Sequence, residues 1–159
     1  MPRPSNSRNF GLAWFFLCFA FAAHIADEAL TGFLPVYNAT VRAARAEISW
    51  FPMPTFEYRE WLFGLIGAVA ICLLLTPVAY RNSRWLRPLA WFFAGVLFLN
   101  GLAHTLATIF GRTVSSVHFP RPAPGFYSSP FLLASSLYLF ARLLHTRHVE
   151  HASPLITSR

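Results

Sequence analysis

Four long apolar blocks, separated by polar segments, constrain the fold of this chain more than any other feature. They cover approximately residues 10–26, 61–80, 86–110 and 126–144. A helix needs about 20 apolar residues to cross a hydrocarbon core of ~30 Å. Because lipid cannot satisfy bare backbone, such blocks must form helices or a closed barrel, and the period-two alternation of a barrel is absent. The blocks therefore predict an all-α fold, a bundle of four transmembrane helices.

The length of 159 residues allows one domain. We expect a single membrane domain with helices at approximately 10–27, 59–80, 86–110 and 126–145. The long first loop carries one further element.

Val41, Ala44, Ile48 and Phe51 fall on one side of that loop segment at helical spacing. This pattern predicts an amphipathic helix between Pro35 and Pro52, lying along the outer membrane interface.

The composition identifies the lipid bilayer as the expected partner. Charged residues make up 12% of the chain, against roughly 25% in soluble domains, and the mean hydropathy is +0.46. The net charge is +7. The arginines lie between the apolar blocks rather than along one stripe, which favours topology signals and lipid headgroups over nucleic acid.

The distribution of arginines predicts the orientation. Eight lie at the N-terminus, in the second loop and in the tail, and five lie in the first and third loops. The side with more arginines is expected to be cytoplasmic, which places both termini there. One alternative stays open: Arg3, Arg8 and the small residues around Phe21 also resemble a cleavable signal peptide.

Two polar clusters interrupt the apolar blocks. An ionisable residue at the centre of a membrane helix costs roughly 2.5 to 3.5 kcal/mol, so such residues are functional candidates. His24, Asp27 and Glu28 lie on one side of the first helix, because residues three and four apart are neighbours on a helix. Asn100 and His104 share a face of the third helix in the same way.

The helix count brings both clusters to one depth. The first and third helices run in the same direction, and a rise of 1.5 Å per residue places His24 and His104 near the outer ends of their spans. Glu57 and Glu60 begin the second helix at this level. Imidazole and carboxylate groups suit a divalent metal such as zinc or iron, so His24, Glu28 and His104 are candidate metal ligands.

Structural roles remain open for each residue taken alone. Asp27 and Glu28, like Glu57 and Glu60, are also typical of the membrane interface. Asn100 and His104 are also typical of hydrogen bonding between membrane helices.

Taken in chain order, the polar motifs of this sequence resemble those of the HXXEE-motif family of small bacterial membrane proteins. Residues 24–28 read His-Ile-Ala-Asp-Glu, with Asp27 in place of the first Glu, and Asn100 and His104 match the N-x-x-x-H pattern of the family. Residues 124–128 are similar to its Y-x-P-G-x-x-T motif. They carry Ser128 for the Thr, and Pro122 stands where the Tyr is expected.

The resemblance implies a membrane enzyme of the bacterial inner membrane, and the family itself has no assigned activity. It adds Pro124, Gly125 and Ser128 to the candidate site. The Asp27 substitution keeps the charge and shortens the side chain by one methylene.

Three functions follow as hypotheses. The first is a metal-dependent enzyme, with hydrolysis of a lipid or amphipathic substrate as its reaction. Asp27, Glu28, Asn100 and Ser128 would then be the catalytic residues. The second is a small proton-coupled carrier, for which four helices suffice only as a homodimer. The third is a structural or assembly protein in which the polar cluster locks the helices together.

Overall fold

The computed structural model describes the backbone of residues 4–152 and the side chains of residues 8–145. Within these residues the chain is all-helical, as predicted. The helices are α1 (Pro4–Thr31), α2 (Phe33–Glu47), α3 (Tyr58–Leu74), α4 (Thr76–Tyr80), α5 (Leu86–Phe110) and α6 (Ser129–Ala152). Arg3 and Arg159, which contributed to the predicted orientation, lie outside the described residues.

Three helical segments of the described chain are long and apolar enough to cross a membrane. They are Arg8–Thr31, Tyr58–Tyr80 and Leu86–Phe110. The fourth predicted span, over 126–145, is not among them. Its helix begins only at Ser129, and polar side chains shorten its apolar stretch: Ser135, Ser136 and Arg142.

The second span is interrupted once, between α3 and α4. Pro77 has no N–H to donate to the carbonyl one turn earlier, and its ring crowds that carbonyl. The backbone responds with a turn at Leu75, whose carbonyl accepts from the N–H groups of Val78 and Ala79, both at 3.0 Å. The span therefore consists of a long helix and a short one.

The first helix is the centre of the bundle. It packs against α6, α4 and α3, and the Trp14 indole donates a hydrogen bond of 2.9 Å to the carbonyl of Cys72 in α3. Large apolar side chains on α3 and α5 point outward, as expected for a surface that contacts lipid: Phe63, Ile66 and Leu74 on α3, and Phe92, Leu99 and Ile109 on α5.

The first loop contains a helix, with bounds that differ from the predicted ones. Gly32 has a φ of 76° and turns the chain from α1 into α2. Pro35 falls within the first turn of α2, where its missing N–H costs nothing. The helix ends at Glu47, so Ile48 and Phe51 lie outside it, and Leu34 joins Val41 as a buried residue.

The segment from 111 to 128 joins α5 to α6 and folds back over the polar ends of α1 and α5. Gly111, with a φ of 68°, ends α5, and the N–H of Phe119 donates to its carbonyl. We call residues 120–128 the strap. Ala123 and Gly125 of the strap are buried, so it forms one wall of the polar cluster.

Candidate metal centre

Three buried side chains from two helices converge at the polar end of the bundle. His24 and Glu28 lie one turn apart on α1, and His104 comes from α5. Their exposed fractions are only 1%, 3% and 6%. Glu28 Oε1 is 3.0 Å from His104 Nε2 and 3.4 Å from His24 Nε2. Candidate ligand atoms of all three residues lie within 4.8 Å of one another.

The orientation of the His104 ring is fixed by the strap. Its Nδ1 lies 2.5 Å from the carbonyl oxygen of Pro124, which can only accept a hydrogen bond. Nδ1 therefore carries the proton and donates it, and Nε2 faces Glu28. Thr108 ties the strap to α5 at this point: it donates to the His104 carbonyl at 2.9 Å and accepts from Ala123 N at 3.0 Å.

The orientation of the His24 ring is fixed by a chain of polar groups. Ser128 donates to Asp27 Oδ2 from its backbone N–H and from its hydroxyl, both at 2.8 Å. Because the hydroxyl proton points to Asp27, Ser128 Oγ accepts from His24 Nδ1, 2.7 Å away. His24 Nε2 then faces Glu28, with Asn100 Oδ1 at 2.6 Å.

The result is an arrangement with a strong preference for positive charge. Two imidazole Nε2 atoms, Asn100 Oδ1 and one carboxylate oxygen meet in a buried space. Their mutual repulsion is relieved by protons on the imidazoles, one of which His24 Nε2 would donate to Asn100 Oδ1, or by a metal cation. Nitrogen and oxygen ligands about 2.0 to 2.2 Å from a tetrahedral metal are roughly 3.3 Å apart. The separations of 3.0 and 3.4 Å around Glu28 are close to this value. This group can hold a metal ion.

Two glycines make the close packing around the group feasible. Gly125 has a φ of 81°, and a Cβ there would lie 2.7 Å from His104 Cε1 and 3.1 Å from Glu28 Cγ. A Cβ on Gly101 would lie 3.3 Å from the Ser129 carbonyl and 3.1 Å from Leu133 Cγ. The glycines therefore let the strap approach His104 and let α6 approach α5.

A pocket of about 310 Å³ opens onto this group. Its polar floor consists of His24, Glu28 and Asn100. The other lining residues come mainly from α2, α3 and the segment before α3: Phe21, Phe33, Tyr37, Phe56, Glu60, Trp61, Gly64 and Leu65. The candidate metal group is thus buried from the bulk but reached by a largely aromatic cavity.

The structure places the sequence-predicted residues in different positions around the group. Asn100 and Ser128 lie on opposite sides of the His24 ring. Asn100 contacts Nε2 of that ring, and Ser128 contacts Nδ1. Asp27 does not join the candidate ligands, because its carboxylate is turned to Ser128. Glu57 caps α3 together with Glu60, and only Glu60 lines the pocket.

The aromatic residues that line the pocket and the threonines that hold the site were not among the sequence-predicted residues. Phe33, Tyr37 and Trp61 occur in apolar stretches where aromatic residues are ordinary. Thr31 accepts from Gly125 N at 3.0 Å and donates to the Asp27 carbonyl at 2.6 Å. The sequence carries no local signal for the contact between Thr31 and Gly125, which are 94 residues apart.

Comparison of the chain with protein-family models, with curated proteins and with solved structures found no match.

Proposed function

We propose that this protein is a metal-dependent membrane enzyme, a hydrolase that acts on a lipid or another amphipathic substrate. The observation that carries the proposal is the pocket that opens onto His24 and Glu28. A polar cluster that only locked helices together would gain nothing from a cavity beside it. A catalytic metal, in contrast, needs an open position that substrate can reach.

His24, Glu28 and His104 would bind the metal in this proposal. Two imidazoles and a carboxylate are a donor set suited to zinc or iron. Such a metal polarises a carbonyl or phosphoryl oxygen and lowers the pKa of a bound water. The mainly apolar wall of the pocket suits part of an amphiphilic substrate, and the polar floor suits its scissile group.

Asn100, Ser128 and Asp27 would support the reaction from around the metal. Asn100 lies on the pocket floor, where its amide can hydrogen bond to substrate. Ser128 and Asp27 act through the His24 ring, since their hydrogen bonds hold its Nδ1 proton in place. Groups of this kind that orient a metal ligand commonly change metal affinity by about 10- to 100-fold.

The membrane placement is part of the same proposal. We propose four spans in a bacterial inner membrane, with α6 as the fourth, both termini cytoplasmic and the site near the outer face. The packing of α6 against both α1 and α5 supports this placement, as do the buried leucines at helical spacing along it, Leu132, Leu139 and Leu143. We also propose membership of the HXXEE-motif family, on the motifs given above.

Metal analysis of the purified protein tests the proposal. Wild-type protein, purified in a neutral detergent and incubated with zinc or ferrous iron, is expected to retain one metal ion per chain after desalting. His104→Ala should retain none. The matched control is His118→Ala, because His118 is exposed in the segment before the strap.

Hydrolysis is measured on the same samples with a series of short-chain ester and phosphoester amphiphiles. Metal-loaded wild type should be active, and chelation should abolish the activity. A wild type that binds neither metal, with unchanged stability after chelation, would contradict the proposal. The remaining explanation would then be that the cluster has a structural role.

A further inference from the structure

The outer wall of the pocket is a continuous series of aromatic rings. The Phe33 ring lies 5.7 Å from that of Tyr37 and 6.2 Å from that of Trp61, centroid to centroid. Tyr37 in turn stacks on Phe56 at 6.0 Å and 25°. These four rings come from α2, α3 and the segment before α3, and all of them line the cavity. We call them the aromatic wall.

The pocket lacks the basic side chains that dominate the charge of the chain. The sequence contains 13 arginines and 6 acidic residues. Among the described lining residues, however, the charged ones are Glu28 and Glu60, and none is an arginine. Arg45, which lies near Tyr37, donates to the carbonyl of Met53 instead. Glu28 is shared by the two imidazoles of the candidate metal group. The cavity therefore combines aromatic rings with one further carboxylate, that of Glu60.

This combination matches one chemical class of ligand. Aromatic faces carry negative electrostatic potential and attract cations, and wall-like groups of such rings recognise quaternary ammonium ions. The Tyr37 phenol is neutral at physiological pH because its ordinary pKa is about 10, and burial raises that pKa further. Its hydroxyl donates to the Pro54 carbonyl at 2.9 Å. A plain hydrocarbon chain would fill the same space and gain nothing from the Glu60 carboxylate.

We infer that the aromatic wall and Glu60 bind a substituted ammonium group, and that the amphiphile on which this protein acts carries one. The second half of the inference rests on the proposed function; the first half, ammonium binding, does not. A volume of about 310 Å³ is at the lower end of small-molecule sites, which span roughly 300–1,000 Å³. It suits a headgroup with its adjoining bond rather than a whole lipid.

Binding is tested with two pairs of probes. In each pair one member carries an ammonium group and the other does not. The free pair is choline and its uncharged isostere 3,3-dimethyl-1-butanol. The lipid pair is dihexanoyl phosphatidylcholine and dihexanoyl phosphatidylglycerol, both below their micellar concentrations. Affinities are measured calorimetrically on full-length protein in a neutral maltoside detergent. The ammonium member of at least one pair should bind at least about tenfold more tightly than its partner.

Two variants and two matched controls locate the binding site. Trp61→Leu should weaken binding of the ammonium probe about tenfold, and Glu60→Gln should also weaken it. The control Phe63→Leu removes an aromatic ring from the exposed face of the same helix. Glu57→Gln removes the neighbouring carboxylate, which does not line the pocket. Glu60 is exposed, so its variant reports on binding even where the Trp61 variant fails to fold.

The outcomes separate the two sources and the two proposals. Preference for choline supports a free ammonium compound, and preference within the lipid pair alone supports a lipid headgroup. Equal binding of both members of each pair, or no binding, overturns the inference. The titrations are repeated with His104→Ala. Preference retained in His104→Ala shows that the ammonium site does not depend on the metal. Preference in a wild type that binds no metal keeps the ammonium site while the enzyme proposal fails, and equal binding within both pairs to a metal-loaded, active wild type overturns the ammonium site alone.

Discussion

His104 Nε2 and Glu28 Oε1 lie 3.0 Å apart, although 76 residues separate them in the chain. The contact joins α1 to α5 at the floor of the pocket, and His24 approaches the same carboxylate oxygen from one helical turn away. Glu28 is thus the one acidic group shared by both imidazoles. We therefore expect the chemistry of the cluster to depend on the negative charge of Glu28 more than on the shape of its side chain.

Replacing Glu28 by Gln separates charge from shape. Glu28→Gln keeps the size of the side chain and removes the negative charge that a metal requires here. We expect metal affinity to fall by more than the roughly 10- to 100-fold that groups around a ligand contribute, and the stabilisation of the protein by zinc to disappear. Thermal unfolding in detergent, with and without zinc, measures this effect.

The control for this substitution is Glu47→Gln, at the exposed end of α2. It removes the same charge from the surface and should leave the zinc-induced shift unchanged. A Glu28→Gln protein that zinc stabilises as much as wild type would show that the carboxylate is not a ligand.

Ser128 provides a test of how the His24 ring is held. Ser128→Ala removes the hydroxyl that links His24 Nδ1 to Asp27, so the ring loses the acceptor for its Nδ1 proton. We expect metal binding to persist with an affinity about 10- to 100-fold lower. Competition with a zinc-chelating dye measures the affinity directly.

Ser128→Thr is the matched variant, because it keeps the hydroxyl and adds only a methyl group. It should restore most of the affinity lost in Ser128→Ala. Equal affinities of the wild type and both variants would mean that the Ser128 hydroxyl does not orient the ligand.

Much of this arrangement could be predicted from the sequence, because it depends on periodicity. His24 and Glu28 are four residues apart, as are Asn100 and His104, and helical geometry alone puts each pair on one face. The equal depth of the two pairs followed from the count of apolar blocks between them. The structure accordingly brings the His24 and His104 rings within 4.8 Å, centroid to centroid.

The parts that could not be predicted depend on contacts between distant segments. Asp27 was expected on the same helix face as Glu28, as a catalytic residue, but the strap presents a backbone N–H and a hydroxyl to it from Ser128. The start of α6 depends on the same strap. The apolar residues Phe126 and Tyr127 belong to turns of the strap, so the helix begins after them. The aromatic wall forms where α2 contacts the segment before α3 and the Trp61 ring, and a single sequence contains no signal for these contacts.

Gly125 is predicted to be essential for the position of His104. A Cβ at this residue would lie 2.7 Å from the His104 ring, and its φ of 81° is itself unfavourable for alanine. Residues held in such a conformation cost roughly 1 to 3 kcal/mol. Gly125→Ala should therefore lower the thermal stability and also weaken metal binding, because the His104 ring must move.

Gly32→Ala is the control that isolates the second effect. Gly32 has a similar φ of 76°, but a Cβ there would meet no atom within 4 Å. It should show the conformational cost without a change in metal affinity. If both variants bound metal as wild type does, the close packing of the strap against His104 would be irrelevant to the site.

The fourth span can be tested at the two ends of α6. Ser116 is exposed in the segment before the strap, and His145 is exposed near the other end of α6. Single cysteines are introduced at these positions after Cys18 and Cys72 are replaced by alanine, and intact bacterial spheroplasts are treated with a membrane-impermeant maleimide. If α6 crosses the membrane with the termini inside, Ser116→Cys is labelled and His145→Cys is labelled only after lysis.

Labelling of both in intact spheroplasts would mean that α6 stays on the outer side and that the bundle has three spans. Labelling of His145→Cys alone would show four spans in the reverse orientation, which would place the pocket at the cytoplasmic face.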